Sequence, residues 1–195
     1  MKHKSLIIVL GGIGLGLFCG WVIFPFALYK TETQPVQFSH KVHTGEQGGM
    51  ACDNCHEFSP DGRFIGVPAL DKCAACHSST IGTSPNEKRF VEEFVTPQRS
   101  VPWLIYSRQP DNAYFPHATH VKLAGIACED CHGPQGTSDS LSEYQENRIS
   151  GYSRDIWGRN ISGVPSDQWE GMKMDKCVRC HDRHNRRDGC IDCHK

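Results

Sequence analysis

Hydrophobic residues are concentrated at the N-terminal end of the chain. From Leu6 to Leu28 the sequence runs without a charged side chain, and Lys2 and Lys4 precede this run. A helix of that length crosses a bilayer, and the positive flank places the N-terminus in the cytoplasm. The run is longer than the ~7–15 apolar residues of a signal peptide, and no A-x-A cleavage site follows it. The pattern therefore predicts an uncleaved anchor, with the chain beyond it outside the cytoplasm.

Glycines mark one face of this predicted helix. Gly12, Gly16 and Gly20 recur every fourth residue, so they share a face that lets a second transmembrane helix approach closely. We infer an integral-membrane partner. Cys19 lies on the same segment, where the bulky Phe18 before it favours a buried apolar cysteine over a lipidation site.

After the anchor, apolar residues show helical spacing in the short segment SPNEKRFVEEFV. Ser84 is predicted as the N-cap, Pro85 as the first helical residue and Glu87 as the partner in a capping box. The apolar face of the predicted helix consists of Phe90, Val91, Phe94 and Val95.

A long segment, 133–171, shows no sustained helical or strand periodicity. Loops of this length inside a compact unit are usually functional or disordered. Its aromatic side chains argue against disorder and favour a clasp or a partner-binding surface. These side chains are Tyr144, Tyr152, Trp157 and Trp169.

Composition and charge limit the class of protein. Hydrophobic residues make up 38% of the chain, and because many of them lie in the anchor, the remainder is too poor in aliphatic side chains for a conventional core. Two of the 21 Lys and Arg residues precede residue 29, whereas all 22 Asp and Glu residues follow it. This slightly acidic balance argues against a nucleic-acid-binding surface.

Ten of the 11 cysteines form five C-x-x-C pairs, and a histidine follows every pair. Zinc sites and disulfide frameworks also use paired cysteines, but neither requires that histidine. On one helical turn the two cysteines and the histidine share a face, so two thioethers hold a porphyrin while the imidazole reaches the iron. The sequence thus predicts five covalent c-type haems. The thioether cysteines are Cys52, Cys55, Cys73, Cys76, Cys128, Cys131, Cys177, Cys180, Cys190 and Cys193, and the proximal iron ligands are His56, His77, His132, His181 and His194.

The remaining histidines supply candidates for the opposite, distal side of each iron. His3 lies on the cytoplasmic side of the anchor, which leaves five histidines for five haems: His40, His43, His117, His120 and His184. Ligation by two histidines leaves no open iron and sets a lower potential than His/Met ligation, the profile of an electron relay. Three methionines close to the motifs, Met50, Met172 and Met174, are lesser candidates for the same positions.

An internal repeat organises these motifs. The pattern F-x-H-x-x-H, a spacer and A-C-x-x-C-H occurs at 38–56 and again at 115–132, and a D-K-C-x-x-C-H element follows each copy, at 71–77 and 175–181. The unit is a two-haem module, present twice. We predict an anchor segment (1–34), a first module with two haems and the linker helix (35–112), and a second module with three haems and the insertion (133–171) inside it (113–195).

The expected fold is a class III-like multihaem cytochrome c with short helices, long loops and one transmembrane helix. The F-x-H-x-x-H arrangement resembles that of the class III cytochromes c, in which such histidine pairs are distal ligands to different haems. By that resemblance, His117 and His120 ligate two separate irons. The porphyrins then lie close together and replace the aliphatic core, with the linker helix packed on a haem or a partner. The segment after that helix, VPWLIYSRQP (101–110), fits either an exposed docking strip or a buried clamp over the porphyrins.

The whole chain is similar to the multihaem cytochrome subunit of the menaquinone reductase (Qrc) and alternative complex III family. The stretches that carry the similarity are FSHKVH, PWLIYSRQPDNAYFPHATHVKLAGIACEDCHG and MKMDKCVRCH. The resemblance implies a polytopic quinone-binding subunit, an iron–sulfur subunit and a molybdopterin-oxidoreductase-like subunit as partners. It also implies a soluble periplasmic tetrahaem cytochrome c as electron donor, and a haem domain in the periplasm at the cytoplasmic membrane.

The number of motifs departs from one branch of that family. The menaquinone reductase branch is described with six haems, whereas this chain has five complete motifs. Either a sixth haem is bound without thioethers, or the alternative complex III branch is the better match. The predicted function is an electron-transfer subunit, not a stand-alone catalyst. The alternatives are a single-helix quinol dehydrogenase that feeds a periplasmic reductase and a haem enzyme with one open iron.

Overall fold

The computed structural model describes most of the chain, in two compact units that interleave along the sequence. The first unit comprises Met1–Glu32, Tyr106–Asp111 and Tyr144–Gly189, and the second comprises Thr33–Ile105, Asn112–Glu143 and Cys190–Lys195. The residues whose structure is described are 2–107, 109, 111–151, 169, 174–186 and 189–194.

The first unit begins with the predicted membrane helix. Helix α1 (Lys2–Phe18) continues through a π-helical turn (Cys19–Ile23) into α2 (Phe24–Leu28). The span Lys4–Leu28 is long and apolar enough to cross a membrane, and its most apolar window buries no surface inside the structure. The side chains around it are exposed leucines, isoleucines and aromatics, as expected of a helix whose surroundings are another apolar phase.

A two-stranded antiparallel sheet follows the membrane helix in the same unit. Strand β1 (Tyr29–Glu32) pairs with β2 (Tyr144–Asn147), with Tyr29 opposite Asn147 and Glu32 opposite Tyr144. The sequence did not predict β2, because the strand has four residues and every one of them is at least partly buried, so no alternation is visible. Part of the insertion 133–171 is therefore a clasp on the segment after the anchor.

The rest of the insertion contributes few described residues. The side chain of the buried Asn147 closes the turn after β2 by accepting hydrogen bonds from the Ile149 and Ser150 amides at 2.9 and 3.1 Å. Tyr152 and Trp157 lie outside the described residues, and Trp169 is partly exposed.

The remaining helix of this unit is α7 (Met174–Arg183), which carries the fourth attachment motif.

The second unit is built of short helices joined by loops. The α-helices are α3 (His40–Thr44), α4 (Leu70–Ala74), α5 (Pro85–Phe90), α6 (Cys128–His132) and α8 (Cys190–Cys193), with π-helical turns at Val91–Val95 and Ala118–Leu123 and 3₁₀ turns at Cys52–Asn54 and Gln135–Thr137. The lengths agree with the expected fold of short helices and long loops.

A small hydrophobic core lies where α5 meets the start of the unit. Among the described residues, the buried hydrophobic side chains are Val36, Phe90, Val91 and Phe94, and partly buried side chains pack around them, among them Leu70, Val95, Val101 and Trp103. The predicted helix and its apolar face are thus confirmed. Val101 and Trp103 pack against this core, so this part of the 101–110 segment is not an exposed strip. A clamp over the porphyrins stays a prediction.

Two local predictions differ from the structure at the start of α5. Ser84 precedes the helix and Pro85 is its first residue, as predicted, but the Ser84 side chain makes no capping hydrogen bond. The capping box is wrong, because the Glu87 carboxylate accepts from the amides of Ile81 and Gly82 instead. The Glu87 carboxylate therefore binds amides of the loop before the helix instead of the amide at the start of the helix.

Candidate haem-binding sites

The attachment motifs have helical backbone. In three of them the histidine amide donates to the carbonyl of the first cysteine at 2.9 Å, from His56 to Cys52, from His77 to Cys73 and from His194 to Cys190. This i to i+4 bond brings both cysteines and the histidine to one side of a helical turn. In the described part of the chain, no disulfide joins any of the cysteines.

The residue before each repeated motif is an alanine with a defined role. The Ala51 amide donates to Asn54 Oδ1 at 2.7 Å, and the Ala127 amide donates to Asp130 Oδ2 at 3.2 Å. In each repeat a side chain between the two cysteines therefore satisfies an amide at the start of the turn, which otherwise lacks a helical partner. Because the bond uses the backbone amide of the alanine, it accounts for the polar residue before the second cysteine, Asn54 or Asp130, and not for the alanine itself.

Three of the motif histidines face a second histidine in the second unit. The ring centroids are 6.5 Å apart for His40 and His56, 6.0 Å for His43 and His77, and 6.4 Å for His117 and His132. The first and last pairs have interplanar angles of 24° and 7°, whereas the middle pair is tilted at 57°.

These separations fit a metal ion between the two rings. The separations are larger than those of the phenylalanine and histidine rings that stack within each repeat, such as Phe38 and His43 with centroids 4.2 Å apart. A metal bound by two imidazole nitrogens at about 2 Å each holds the centroids roughly 6 Å apart. The donor set also suits haem iron, for which imidazole is a common axial ligand. The residues present therefore fit bis-histidine haems.

The F-x-H-x-x-H segments are arranged alike in the two repeats. Phe38 stacks on His43 and meets His40 edge-on. Phe115 stacks on His120 at 4.3 Å and meets His117 edge-on at 4.8 Å. The phenylalanine thus orients both histidines, which explains its place in the repeated pattern.

Hydrogen bonds at Nδ1 fix the orientation of several rings. His43 donates to the Ser39 carbonyl at 2.7 Å, and His120 donates to the Pro116 carbonyl at 3.0 Å. His40 Nδ1 lies 3.3 Å from the Ser138 hydroxyl. A proton held on Nδ1 leaves Nε2 as the free donor atom, so the group that accepts the Nδ1 proton prepares the histidine for a metal.

Burial also favours the neutral, ligating form of two candidates. Burial, followed by the neighbouring His56 and His43, lowers the pKa of His40. Burial, followed by His132 and His120, lowers the pKa of His117. Because metal binding requires an unprotonated imidazole, both shifts act in the direction that ligation needs.

Two of the predicted proximal histidines, His56 and His77, donate hydrogen bonds to different kinds of acceptor. His56 donates from Nδ1 to the Gly66 carbonyl at 2.7 Å, and His77 donates to Glu87 Oε1 at 2.9 Å. The pKa of Glu87 is lowered, mainly by the hydrogen bond from the Ile81 amide. Burial opposes this to a smaller extent and the Gly82 amide adds to it, so the group is a carboxylate at neutral pH. Sequence reasoning missed this contact, because it assigned Glu87 to a capping box.

Neighbouring attachment sites lie close together within the second unit. Burial raises the pKa of Cys73, and the adjacent Cys55 raises it further. The first and second motifs therefore lie next to each other. Burial raises the pKa of Cys128, and the adjacent Cys52 raises it further. The first and third motifs therefore also lie next to each other.

An aromatic side chain that the sequence did not single out lies between two of these sites. Phe64 stacks on His117 at 4.3 Å and also faces His56, with ring centroids 6.4 Å apart. It therefore contacts a candidate ligand of the first haem and one of the third.

The fifth motif is fastened beside the second repeat. Ala113 forms an isolated antiparallel bridge with His194, and the Tyr114 amide donates to the Cys193 carbonyl at 2.7 Å.

The other histidine and methionine candidates for the distal positions lie in different parts of the chain. His120 lies in the π-helical turn Ala118–Leu123, which begins directly after His117. His184 follows α7, and its amide donates to the Cys180 carbonyl at 3.2 Å. Met50 is partly buried and its amide donates to the His43 carbonyl, Met174 is exposed, and Met172 lies outside the described residues. The iron partners of His120 and His184 stay predictions.

Short helices, repeated C-x-x-C-H turns and facing histidines define a multihaem cytochrome c of the class III type. Residues 25–100 match the model of the class III cytochrome c family, and residues 113–195 match that of cytochrome c7 and related cytochromes c. The chain is 38% identical to the multihaem cytochrome c subunit of menaquinone reductase from Nitratidesulfovibrio vulgaris over 200 residues, which cover 94% of this chain and 87% of that protein. The chain belongs to the family of that subunit. It is accordingly an electron-transfer protein with covalently bound haem c.

Proposed function

We propose that this chain is a membrane-anchored relay that carries electrons from soluble periplasmic cytochromes c toward a menaquinone site in partner subunits. The observation that carries the proposal is the set of three facing histidine pairs, 6.0–6.5 Å apart. An iron with two histidine ligands offers no position for a small substrate, and it exchanges electrons without a change of ligands.

The proposal assigns five haems to the five motifs. Bound haem supplies one-electron redox chemistry, and the chain holds each haem by two thioethers and a proximal histidine. His40, His43 and His117 complete the first, second and third irons. His120 and His184 complete the remaining two, and the repeat supports this because His120 occupies the position of His43.

The spacing of the sites supports conduction along the chain. His40 and His43 lie on one helical turn but face the histidines of different motifs. Cys52 lies beside Cys128, and Phe64 spans ligands of the same two haems. The attachment site of the first haem is therefore adjacent to those of the second and the third, an arrangement that would let electrons pass among the haems bound there.

The anchor supports a location in the cytoplasmic membrane with the haems in the periplasm. Haem c is attached outside the cytoplasm, and Lys2 and Lys4 favour the same topology. The named relative belongs to a menaquinone reductase. We extend that assembly to this chain, with a polytopic quinone-binding subunit, an iron–sulfur subunit and a molybdopterin-oxidoreductase-like subunit as partners.

A stopped-flow experiment with the full chain in mild detergent tests the relay. Reduced soluble tetrahaem cytochrome c is mixed with the oxidised protein, and haem reduction is followed by visible absorbance. We expect fast reduction by the cytochrome and no reaction with menaquinol in the absence of partner subunits. Failure of the cytochrome to reduce the haems would contradict this direction of flow. Reduction by menaquinol alone would favour the single-helix quinol dehydrogenase.

Spectroscopy of the same preparation tests the remaining alternative. A relay with five bis-histidine haems shows only low-spin ferric signals in electron paramagnetic resonance, and carbon monoxide leaves the reduced spectrum unchanged. A high-spin signal that shifts with added nitrite would instead support a haem enzyme with an open iron.

A further inference from the structure

The second haem site differs from the first in the group that accepts a hydrogen bond from the proximal histidine. The first proximal histidine, His56, donates from Nδ1 to a neutral backbone carbonyl, that of Gly66. The distal ligands His43 and His120 also donate to backbone carbonyls. His77 instead donates to a carboxylate, Glu87 Oε1, at 2.9 Å.

The carboxylate is held firmly in this position. Glu87 Oε1 also accepts from the Ile81 amide at 2.8 Å, and Oε2 accepts from the Gly82 amide at 2.9 Å. The two side chains are largely shielded from water, with 23% of His77 and 14% of Glu87 exposed. Phe90, one turn along α5, meets the His77 ring edge-on at 6.0 Å. Loop, helix and ligand therefore form one locked cluster.

A carboxylate and a carbonyl affect a bound iron differently. Both accept the Nδ1 proton, but the negative charge draws it further from the ring and makes Nε2 a stronger electron donor. The same charge, close by and poorly screened, stabilises ferric iron relative to ferrous iron. Both effects make reduction of the iron less favourable.

We propose that Glu87 is a positioning residue that fixes the tautomer of His77 and holds the second haem at a lower potential than a neutral acceptor would. The inference rests on the proposed function in one respect, the ligation of the second iron by His77. Its consequence for the relay is that an electron on the second haem passes to the first haem more readily than it would with a neutral acceptor behind His77.

Glu87→Gln tests the proposal, because it removes the charge while an oxygen stays available to His77. The matched control is Glu92→Gln, which removes an exposed charge from the next turn that pairs with Lys88 at 3.8 Å. Each full-length protein is titrated in detergent by spectroelectrochemistry, with haem content and spin state measured on the same sample.

In the E87Q protein we expect one haem to become about tenfold easier to reduce, an upward shift of about 59 mV for a one-electron couple. The other four potentials and the whole E92Q titration match those of the natural protein. E87D, which keeps the charge, lies closer to the natural protein than E87Q does. A purely structural role of Glu87 would give no such rescue.

A second variant keeps the test decisive if E87Q does not assemble. A Cβ atom added at Gly82 would come within 3.0 Å of Glu87 Oε2, so Gly82→Ala displaces the carboxylate without removing its charge. We expect the same component to shift upward. Unchanged potentials in an assembled E87Q or G82A protein overturn the proposal.

His43→Met separates this failure from failure of the haem assignment. His43 faces His77 across the second site, and a methionine ligand raises the potential of the haem that it binds. A shift in H43M without one in E87Q overturns the role of Glu87 alone. No shift in either variant overturns the assignment of His43 to the second iron as well as the role of Glu87.

Discussion

At the scale of single residues, ligand geometry here depends mainly on bonds made within one helical turn. His43 and His120 each donate to the carbonyl four residues earlier, that of Ser39 or Pro116. The phenylalanine two residues before the first histidine packs on both rings. The spacing F-x-H-x-x-H therefore carries its own orienting groups, and a local pattern is enough to place two ligands.

His117→Met tests ligation at this scale. His117 faces His132 at 6.4 Å with nearly parallel rings, and a thioether stabilises ferrous iron better than an imidazole does. We expect one midpoint potential to rise by more than ~59 mV, equivalent to over tenfold in the reduction equilibrium, with the other four nearly unchanged. His3→Met, in the N-terminal helix α1, is the matched control and leaves the titration unaltered. An unaltered titration for H117M would show that His117 binds no iron.

The sequence predicted local features of the sites better than long-range ones. The helix at Pro85 and its apolar face followed from capping preferences and spacing, which act within a few residues. Glu87 was misassigned because His77, Ile81 and Gly82 compete for its carboxylate, and that competition depends on how the loop folds back. Phe64 carried no signal at all, since it contacts His117 across 53 residues of sequence.

At the scale of elements, two hydrogen bonds hold one segment of the second unit against its small hydrophobic core. Gln34 donates to the Leu104 carbonyl at 2.8 Å and accepts from the Leu104 amide at 3.0 Å. These bonds position the segment that carries Val101 and Trp103 against Val36. Because the Gln34 side chain is buried, water does not readily replace either bond.

Gln34→Ala is expected to destabilise this part of the unit. It leaves both backbone groups of Leu104 without their partner, at a cost of about 1–3 kcal/mol. Hydrogen exchange measured by mass spectrometry should show faster exchange in 101–105 while the amides of 128–132 are unaffected. Gln34→Glu keeps an acceptor for the amide but loses the donor, so its effect should be intermediate. Equal protection of 101–105 in all three proteins would show that the Gln34 bonds do not hold the segment.

Phe94→Ala tests the core itself. Phe94 is 4% exposed and packs with Phe90 at 6.4 Å, and removal of a buried phenylalanine ring costs about 3–5 kcal/mol. We expect the urea midpoint, followed by Soret absorbance, to fall accordingly. Leu123→Ala is the control, because Leu123 is 83% exposed and its truncation should change the unfolding free energy by less than ~0.5 kcal/mol. Similar midpoints for the two variants would mean that α5 is not part of the stabilising core.

At the scale of the whole molecule, the N-terminal helix and the haem-binding part differ in how far their hydrophobic side chains are exposed. The haem-binding part has few buried hydrophobic side chains among its described residues, whereas the anchor presents leucine, isoleucine and aromatic side chains around its whole circumference. Lipid covers most of such a helix, but it does not explain the glycines. Apart from the adjacent residues and the backbone of the helix itself, no described heavy atom of this chain would come within 4 Å of a Cβ at Gly12, Gly14 or Gly16, so these positions are open to a neighbour.

Gly16→Leu tests whether a membrane subunit occupies the glycine face. Gly12 and Gly16 share a face, while Gly14, two residues away on a helix of 3.6 residues per turn, lies on the opposite side. A leucine at 16 keeps a partner helix from close approach, so we expect G16L to co-purify less of the polytopic subunit from mild detergent, with its haem spectrum unchanged. Gly14→Leu adds the same side chain on the other side and should keep the partner. Equal loss in both variants would indicate a general effect of leucine on the anchor, and equal retention would place the partner's contact on another part of the protein.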